Sequence, residues 1–194
     1  MKKLLILVFI LVLGCTTFAN EDNSGSQFPL CHMEANTLMI SSSSCNLDLP
    51  RYMGKWYEQA HLPTFFQKDC ISSTAEYSIK EDGNVKVINT CFKANGSLKE
   101  IVGKAKVNTK DPSGRSLIVS FNWVTEIVNF FNGVNYYVYF VDDLYKYAIV
   151  GTLKKDMLWI LTRDETIDTE TLQKLLDIAK QNDFNLSTLI YDIR

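Results

Sequence analysis

From about residue 50 onward the chain is a train of short strand-like segments broken by turn signals, and few folds accommodate that pattern. Residues 53–61, 71–79, 84–92, 97–107, 116–123, 135–141, 147–153 and 157–163 read as eight strands. Glu81-Asp82-Gly83 separates the second from the third. Lys110-Asp111-Pro112-Ser113-Gly114 separates the fourth from the fifth. Eight strands with short connections predict an all-β fold, an eight-stranded antiparallel up-and-down β-barrel, because closure removes the unpaired edges of an open sheet. One amphipathic helix follows the strands. Asp168 suits its N-cap, and Leu172, Leu175, Leu176 and Ala179 recur at helical spacing, which predicts a C-terminal helix packed outside the barrel. Asn182-Asp183 ends it, and residues 189–193 have room for a final short strand.

A length of 194 residues allows one domain with a sizeable core. The net charge of −2, with both signs mixed along the chain, excludes a basic nucleic-acid footprint, so no nucleic-acid partner is expected. The N-terminus reads as an export signal: Lys2 and Lys3 precede an apolar run over residues 4–13. Ten apolar residues are too few for a spanning helix, which needs roughly 20. Val12-Leu13-Gly14-Cys15 resembles a bacterial lipobox, which implies acylation of Cys15, a palmitate-type anchor and an outer-membrane location. Thr17-Phe18-Ala19 offers the other reading, an ordinary cleavage site that releases a soluble periplasmic or secreted protein. The expected organisation is therefore a signal over residues 1–15, a flexible polar linker over 16–47 and a folded domain over 48–194. Beyond Cys15, four cysteines remain (Cys31, Cys45, Cys70 and Cys91), and an even number in an exported chain suggests two disulfides with three possible connectivities. No two share a C-x-x-C spacing, so neither a metal centre nor a cofactor is expected.

Three blocks carry a resemblance to a known family. Gly54-Lys55-Trp56-Tyr57-Glu58 matches the lipocalin G-x-W signature at the start of the first strand. Residues 142–148, Asp-Asp-Leu-Tyr-Lys-Tyr-Ala, resemble the second lipocalin block, and residues 158–163, Leu-Trp-Ile-Leu-Thr-Arg, resemble the third. The branch it most resembles is that of the bacterial outer-membrane lipocalins and apolipoprotein D. The resemblance implies that Trp56 plugs the barrel base, that Arg163 lies across its indole, and that Gly54, Trp56 and Arg163 hold the fold rather than the ligand. In such a barrel Cys70 begins the second strand and Cys91 ends the third, which puts both at one end and makes Cys70–Cys91 the expected bridge; Cys31–Cys45 follows by elimination.

The resemblance also implies a carrier. Matching inward positions strand by strand gives a ligand-binding set of Glu58, Ala60, Ala75, Tyr77, Val87, Asn89, Val119, Phe121, Tyr137, Tyr139, Met157 and Trp159. That lining is mostly apolar with a few polar groups, as a lipid pocket requires, and the expected ligands are fatty acids, lysophospholipids or similar small lipids. Side chains that merely fill the barrel are the plainer alternative. A structural envelope lipoprotein, binding a partner through apolar loops at the barrel mouth, is another. Phe65, Phe66, Phe130 and Phe131 lie in those loops and read either as an inward lid or as an entrance touching the bilayer. No catalytic residue is expected: His61 is the one histidine in the domain, no G-x-S-x-G elbow exists, and the cysteines read as bridged.

Overall fold

A computed structural model describes residues 45–121 and 134–193. The strands are β1 (Gly54–His61), β2 (Cys70–Ile79), β3 (Val85–Lys93), β4 (Leu98–Val107), β5 (Ser116–Phe121), β6 (Tyr136–Val141), β7 (Tyr147–Gly151) and β8 (Leu158–Thr162). Each is antiparallel to the next. The first half of β1 pairs with β2 and its second half with β8, so the sheet closes on itself as an eight-stranded barrel. Where β2 has left β1, a short strand β9 (Ile190–Tyr191) takes its place.

Period-2 alternation divides the apolar side chains into two layers. One fills the closed half of the barrel and includes Trp56, Tyr77, Val85, Leu117, Ala148 and Leu161. The other lies between the barrel's outer face and a helix: Ile149, Leu158 and Ile160 meet Leu175, Leu176 and Ala179. That helix starts after Asp168, whose Oδ1 accepts from the Thr171 amide at 2.7 Å, and it runs over Thr169–Gln181.

A short helix α1 (Leu49–Tyr52) closes the base of the barrel, with Asp48 as its N-cap and proline in its first turn; the outer helix is α2. Tyr52 enters the barrel, its ring centroid 5.1 Å from that of Trp56 and 5.6 Å from that of Tyr77. Trp56 is fully buried, and its Nε1 donates to the Tyr52 carbonyl at 2.9 Å. The Arg163 guanidinium sits 3.7 Å from the indole. It donates to the carbonyls of Lys55 (2.7 Å), Arg51 (3.0 Å), Tyr52 (3.2 Å), Met53 (2.7 Å) and Tyr145 (3.2 Å). Gly54 has φ +93°, a conformation that strains any other residue, and a Cβ there would press to 3.3 Å from Arg163 Nη1. Asp142 holds the neighbouring turn by accepting from the amides of Leu144, Lys146 and Tyr147.

Cys70 and Cys91 are bridged, with Cα atoms 5.3 Å apart. Cys45 is also disulfide-bonded; Cys31, its expected partner, lies outside the described residues, as does Cys15. The last residues of the expected linker are tied to the barrel. Arg115 Nε donates to the Cys45 carbonyl at 2.6 Å, and the Leu47 amide donates to the Ser113 carbonyl at 2.8 Å.

The closed end yields a prediction. Trp56→Ala removes a large side chain from a packed site and should destabilise by about 3–5 kcal/mol in chemical denaturation. Arg163→Lys should also be strongly destabilising despite keeping the charge, because an ammonium cannot fork to several carbonyls while covering a ring. A lysine variant with wild-type stability would show that the charge alone suffices.

Candidate ligand-binding site

Beyond the layer that holds Trp56, the barrel contains a cavity of about 200 Å³. Nine of the twelve expected lining residues face it: Glu58, Ala75, Tyr77, Val87, Asn89, Val119, Phe121, Met157 and Trp159. Phe121 lies against Gly103 on the neighbouring strand, where a Cβ would come within 2.5 Å of the ring. The absence of a side chain at Gly103 is what lets that ring form part of the wall.

Three expected residues do not line the cavity: a strand irregularity accounts for Ala60, and an alternation taken one residue out accounts for Tyr137 and Tyr139. Strict alternation after Glu58 puts Ala60 inside, but the β1–β8 register shifts between Glu58 and Ala60. A bulge of this kind reverses the facing of the residues beyond it, so Ala60 packs on the outer layer with Ile160 and Leu175. In β6 the expected alternation was one residue out. Tyr136 lines the cavity, whereas Tyr137 and Tyr139 face outward, their rings 5.0 Å apart. Tyr139 stacks edge-on against Phe184 at 4.8 Å and donates to the Thr152 carbonyl. A second register shift, between Val138 and Phe140, comes later in the same strand.

Two groups of the cavity's polar side chains are joined by hydrogen bonds. At the floor, the Tyr136 hydroxyl lies 2.6 Å from that of Tyr52 and 3.3 Å from that of Tyr77. Burial pushes the Tyr77 phenol up to about 12, so these groups stay neutral hydrogen-bonding partners. Towards the mouth, Gln67 in the β1–β2 loop is a hub. Its Nε2 donates to both oxygens of Glu58 (3.1 and 2.9 Å), and its Oε1 accepts from Trp159 Nε1 at 2.9 Å. Neighbouring Phe66 stacks on Trp159 at 6.4 Å, and Phe65 packs edge-on against Phe66 at 5.2 Å; both join the cavity wall, and Phe65 is also 62% exposed. The loop is therefore half lid and half rim; Phe130 and Phe131 lie outside the described residues. Gln67, Tyr52 and Tyr136 were not among the sequence candidates. A loop glutamine carries no periodic signal, and Tyr52 could have been sought only from the N-cap and proline that shape α1.

Behind Glu58 lies a buried charge cluster. His61 Nδ1 is 2.6 Å from Glu58 Oε1 and 3.7 Å from Asp192 Oδ1, and all three side chains are almost inaccessible. The short contact lies off the axis of the ring N–H, an ion pair rather than an aligned hydrogen bond. Asp192 arrives from the segment after β9, where its Oδ2 accepts from the Ser73 amide at 2.7 Å. Burial alone would lower the imidazole pKa, but the two carboxylates override it and hold His61 up at about 9. Burial raises the Glu58 carboxyl, against the opposing pull of His61 and Gln67. This is also the one group among the described residues with the composition of a cation site. Two ligands bound to one zinc at about 2.0–2.1 Å sit roughly 3 Å or more apart. The 2.6 Å approach therefore matches a histidinium held between carboxylates.

The comparisons with known proteins agree with this architecture. Residues 47–193 match the model of the Lipocalin-like domain. The chain belongs to the lipocalin family. A putative lipocalin of Acanthamoeba polyphaga mimivirus is 40% identical over 155 residues, covering 78% of this chain and 86% of the relative. The outer membrane lipoprotein Blc of Citrobacter freundii is 37% identical over 147 residues, with 75% and 78% covered. Apolipoprotein D of Bos taurus is 35% identical over 153 residues, with 74% and 75% covered. Among solved structures, insecticyanin from the tobacco hornworm shares the lipocalin fold at 18% identity, TM-score 0.57, covering 77% of this chain and 82% of that one.

The charge cluster yields a pH prediction. The folded pKa of His61 lies above its ordinary value of 6.5, so its stabilisation is fully present below about pH 6.5 and is lost as pH rises through about 9. The melting temperature should fall across that window. In His61→Gln it should start lower and the fall should flatten. A variant with an unchanged pH profile would show that His61 is not the group that titrates.

Proposed function

We propose that this lipocalin is a carrier that holds small apolar molecules in its barrel at a cell envelope. The observation that carries the reading is the unfilled cavity of about 200 Å³, walled mainly by apolar and aromatic side chains with a few placed polar groups. An apolar cavity of about 150 Å³ is already enough to bind benzene. A barrel used only as scaffold has no need for a space of this size, and filling it would add stability. A binding role also fits His61 better than catalysis does, since its neighbours are two carboxylates rather than a serine or thiol.

The test is direct. Delipidated protein incubated with a lipid extract, repurified and measured by native mass spectrometry should carry a bound mass. Ala75→Phe, which puts a ring into the cavity, should carry little or none while its melting temperature stays near wild type. Equal loading of both proteins, or of neither, would refute the carrier reading.

The matched relatives span a virus, bacteria and cattle, so the compartment is read from the N-terminus. We place the anchor at Cys15, with two or more acyl chains giving a stable hold; the Blc relatives, which are named as outer membrane lipoproteins, support this. The exposed ring of Phe65 fits a rim that touches the bilayer. Palmitate labelling should be lost in Cys15→Ser, which should leave the membrane fraction or stay unprocessed. Equal labelling of both would favour cleavage after Ala19 and a soluble protein.

A further inference from the structure

The polar side chains around the cavity differ in how far they are already satisfied. Towards the mouth, the Gln67 amide donates to Glu58 and Ser73 and accepts from Trp159 and Thr64. The Asn135 amide closes on the backbone of Val119, accepting from its N–H at 2.7 Å and donating to its carbonyl at 2.8 Å. A ligand oxygen meeting these groups gains little, because their donors are in use. The floor is different. Tyr52, Tyr136 and Tyr77 carry three hydroxyl protons, and two hydrogen bonds join them in a row, so one proton has no acceptor within the group. Among the described residues, nothing else receives it.

Such a row has three donor arrangements. In two of them the open proton belongs to Tyr77 or Tyr136, which line the cavity; in the third it belongs to Tyr52, which does not. This deep in the barrel, an O–H without an acceptor carries the desolvation penalty of an unmade hydrogen bond. An oxygen on the leading end of a ligand removes that penalty, and a methyl group there does not. A carbonyl oxygen suits the site best, since it accepts and brings no proton of its own to be satisfied. The apolar remainder would then lie along Phe66, Met157 and Trp159, nearer the mouth. We propose that the hydroxyls of Tyr77 and Tyr136 form a polar subsite on the cavity floor, which takes the carbonyl oxygen of a small ketone, aldehyde or ester entering oxygen end first. This rests on the carrier reading and narrows it: the buried end of the ligand is polar rather than an alkyl tail. Asn89 also lines the wall with an amide that has no side-chain partner among the described residues. It stands two residues nearer the mouth than Val87, the cross-strand neighbour of Tyr77.

Two probes of nearly equal shape test the subsite: acetophenone, and α-methylstyrene, which has a methylene group in place of the carbonyl oxygen. Both are titrated calorimetrically into the delipidated full-length protein, and the carbonyl stretch of the bound ketone is read by infrared difference spectroscopy. The expected wild-type band lies below that of acetophenone in cyclohexane, as for a hydrogen-bonded carbonyl. Tyr77→Phe combined with Tyr136→Phe removes both cavity-facing hydroxyls; either change alone would leave an open proton on the other. In the double variant the band should return to its cyclohexane position. The ketone should bind roughly threefold to tenfold more weakly, the span of one neutral hydrogen bond, and α-methylstyrene at least as tightly as before. Asn89→Ala should keep the shifted band, which tests the inference even if the double variant fails to fold. An unshifted wild-type band, a shift lost in Asn89→Ala, or a folded double variant with unchanged ketone affinity would overturn the subsite and leave the carrier standing. Binding of neither probe would refute the carrier reading and the inference with it.

Discussion

The guanidinium of Arg163 is the point at which this barrel is tied shut. It lies at the end of β8, yet it donates to carbonyls from α1, from the start of β1 and from the turn before β7. A buried carbonyl left without a donor costs about as much as a lost hydrogen bond. One planar cation with several donors in fixed directions satisfies a whole cluster at once. With Trp56 beneath it and Tyr52 beside the indole, the base is a solid aromatic layer. Packing there lets the other end of the barrel remain open inside without the domain losing its core.

That division of labour sets the chemistry of the cavity. The closed half supplies burial, and the open half supplies space bounded by β1, β2 and the loop that carries Phe66 and Gln67. Closure of the sheet through β1 is incomplete near the mouth, where β2 diverges and the chain's last segment fills in through β9 and Asp192. The C-terminus is thus structural there. It brings a carboxylate to His61 and anchors the Ser73 amide, so the cavity's electrostatics depend on residues more than 100 positions apart in sequence.

Much of the architecture was legible because it rests on local rules. Turn residues such as Glu81-Asp82-Gly83 and Asp111-Pro112-Ser113-Gly114 set the strand boundaries, and the N-cap Asp168 with its leucine stripe set the outer helix. The disulfide between Cys70 and Cys91 follows from strand order alone, because antiparallel neighbours return to the same end. Facing was legible over uninterrupted stretches of β2, β3 and β5, though not at Tyr137 in β6. Ala75 and Tyr77 in β2, Val87 and Asn89 in β3, and Val119 and Phe121 in β5 all point into the cavity.

By itself the sequence determined the number and order of strands, the family signature and the apolar character of the interior, since each arises from neighbours within a few residues. The tertiary structure alone decided which tyrosine of β6 enters the cavity and which way Ala60 and His61 point. A strand's facing has a period of two, and one extra residue against its partner reverses everything beyond it. Whether a bulge forms at Gln59 depends on the partner strand β8, not on anything Gln59 or its sequence neighbours announce. In a regular strand, residues three apart face opposite sides; the bulge puts Glu58 and His61 within 2.6 Å of each other. The charge cluster exists because of that one irregularity.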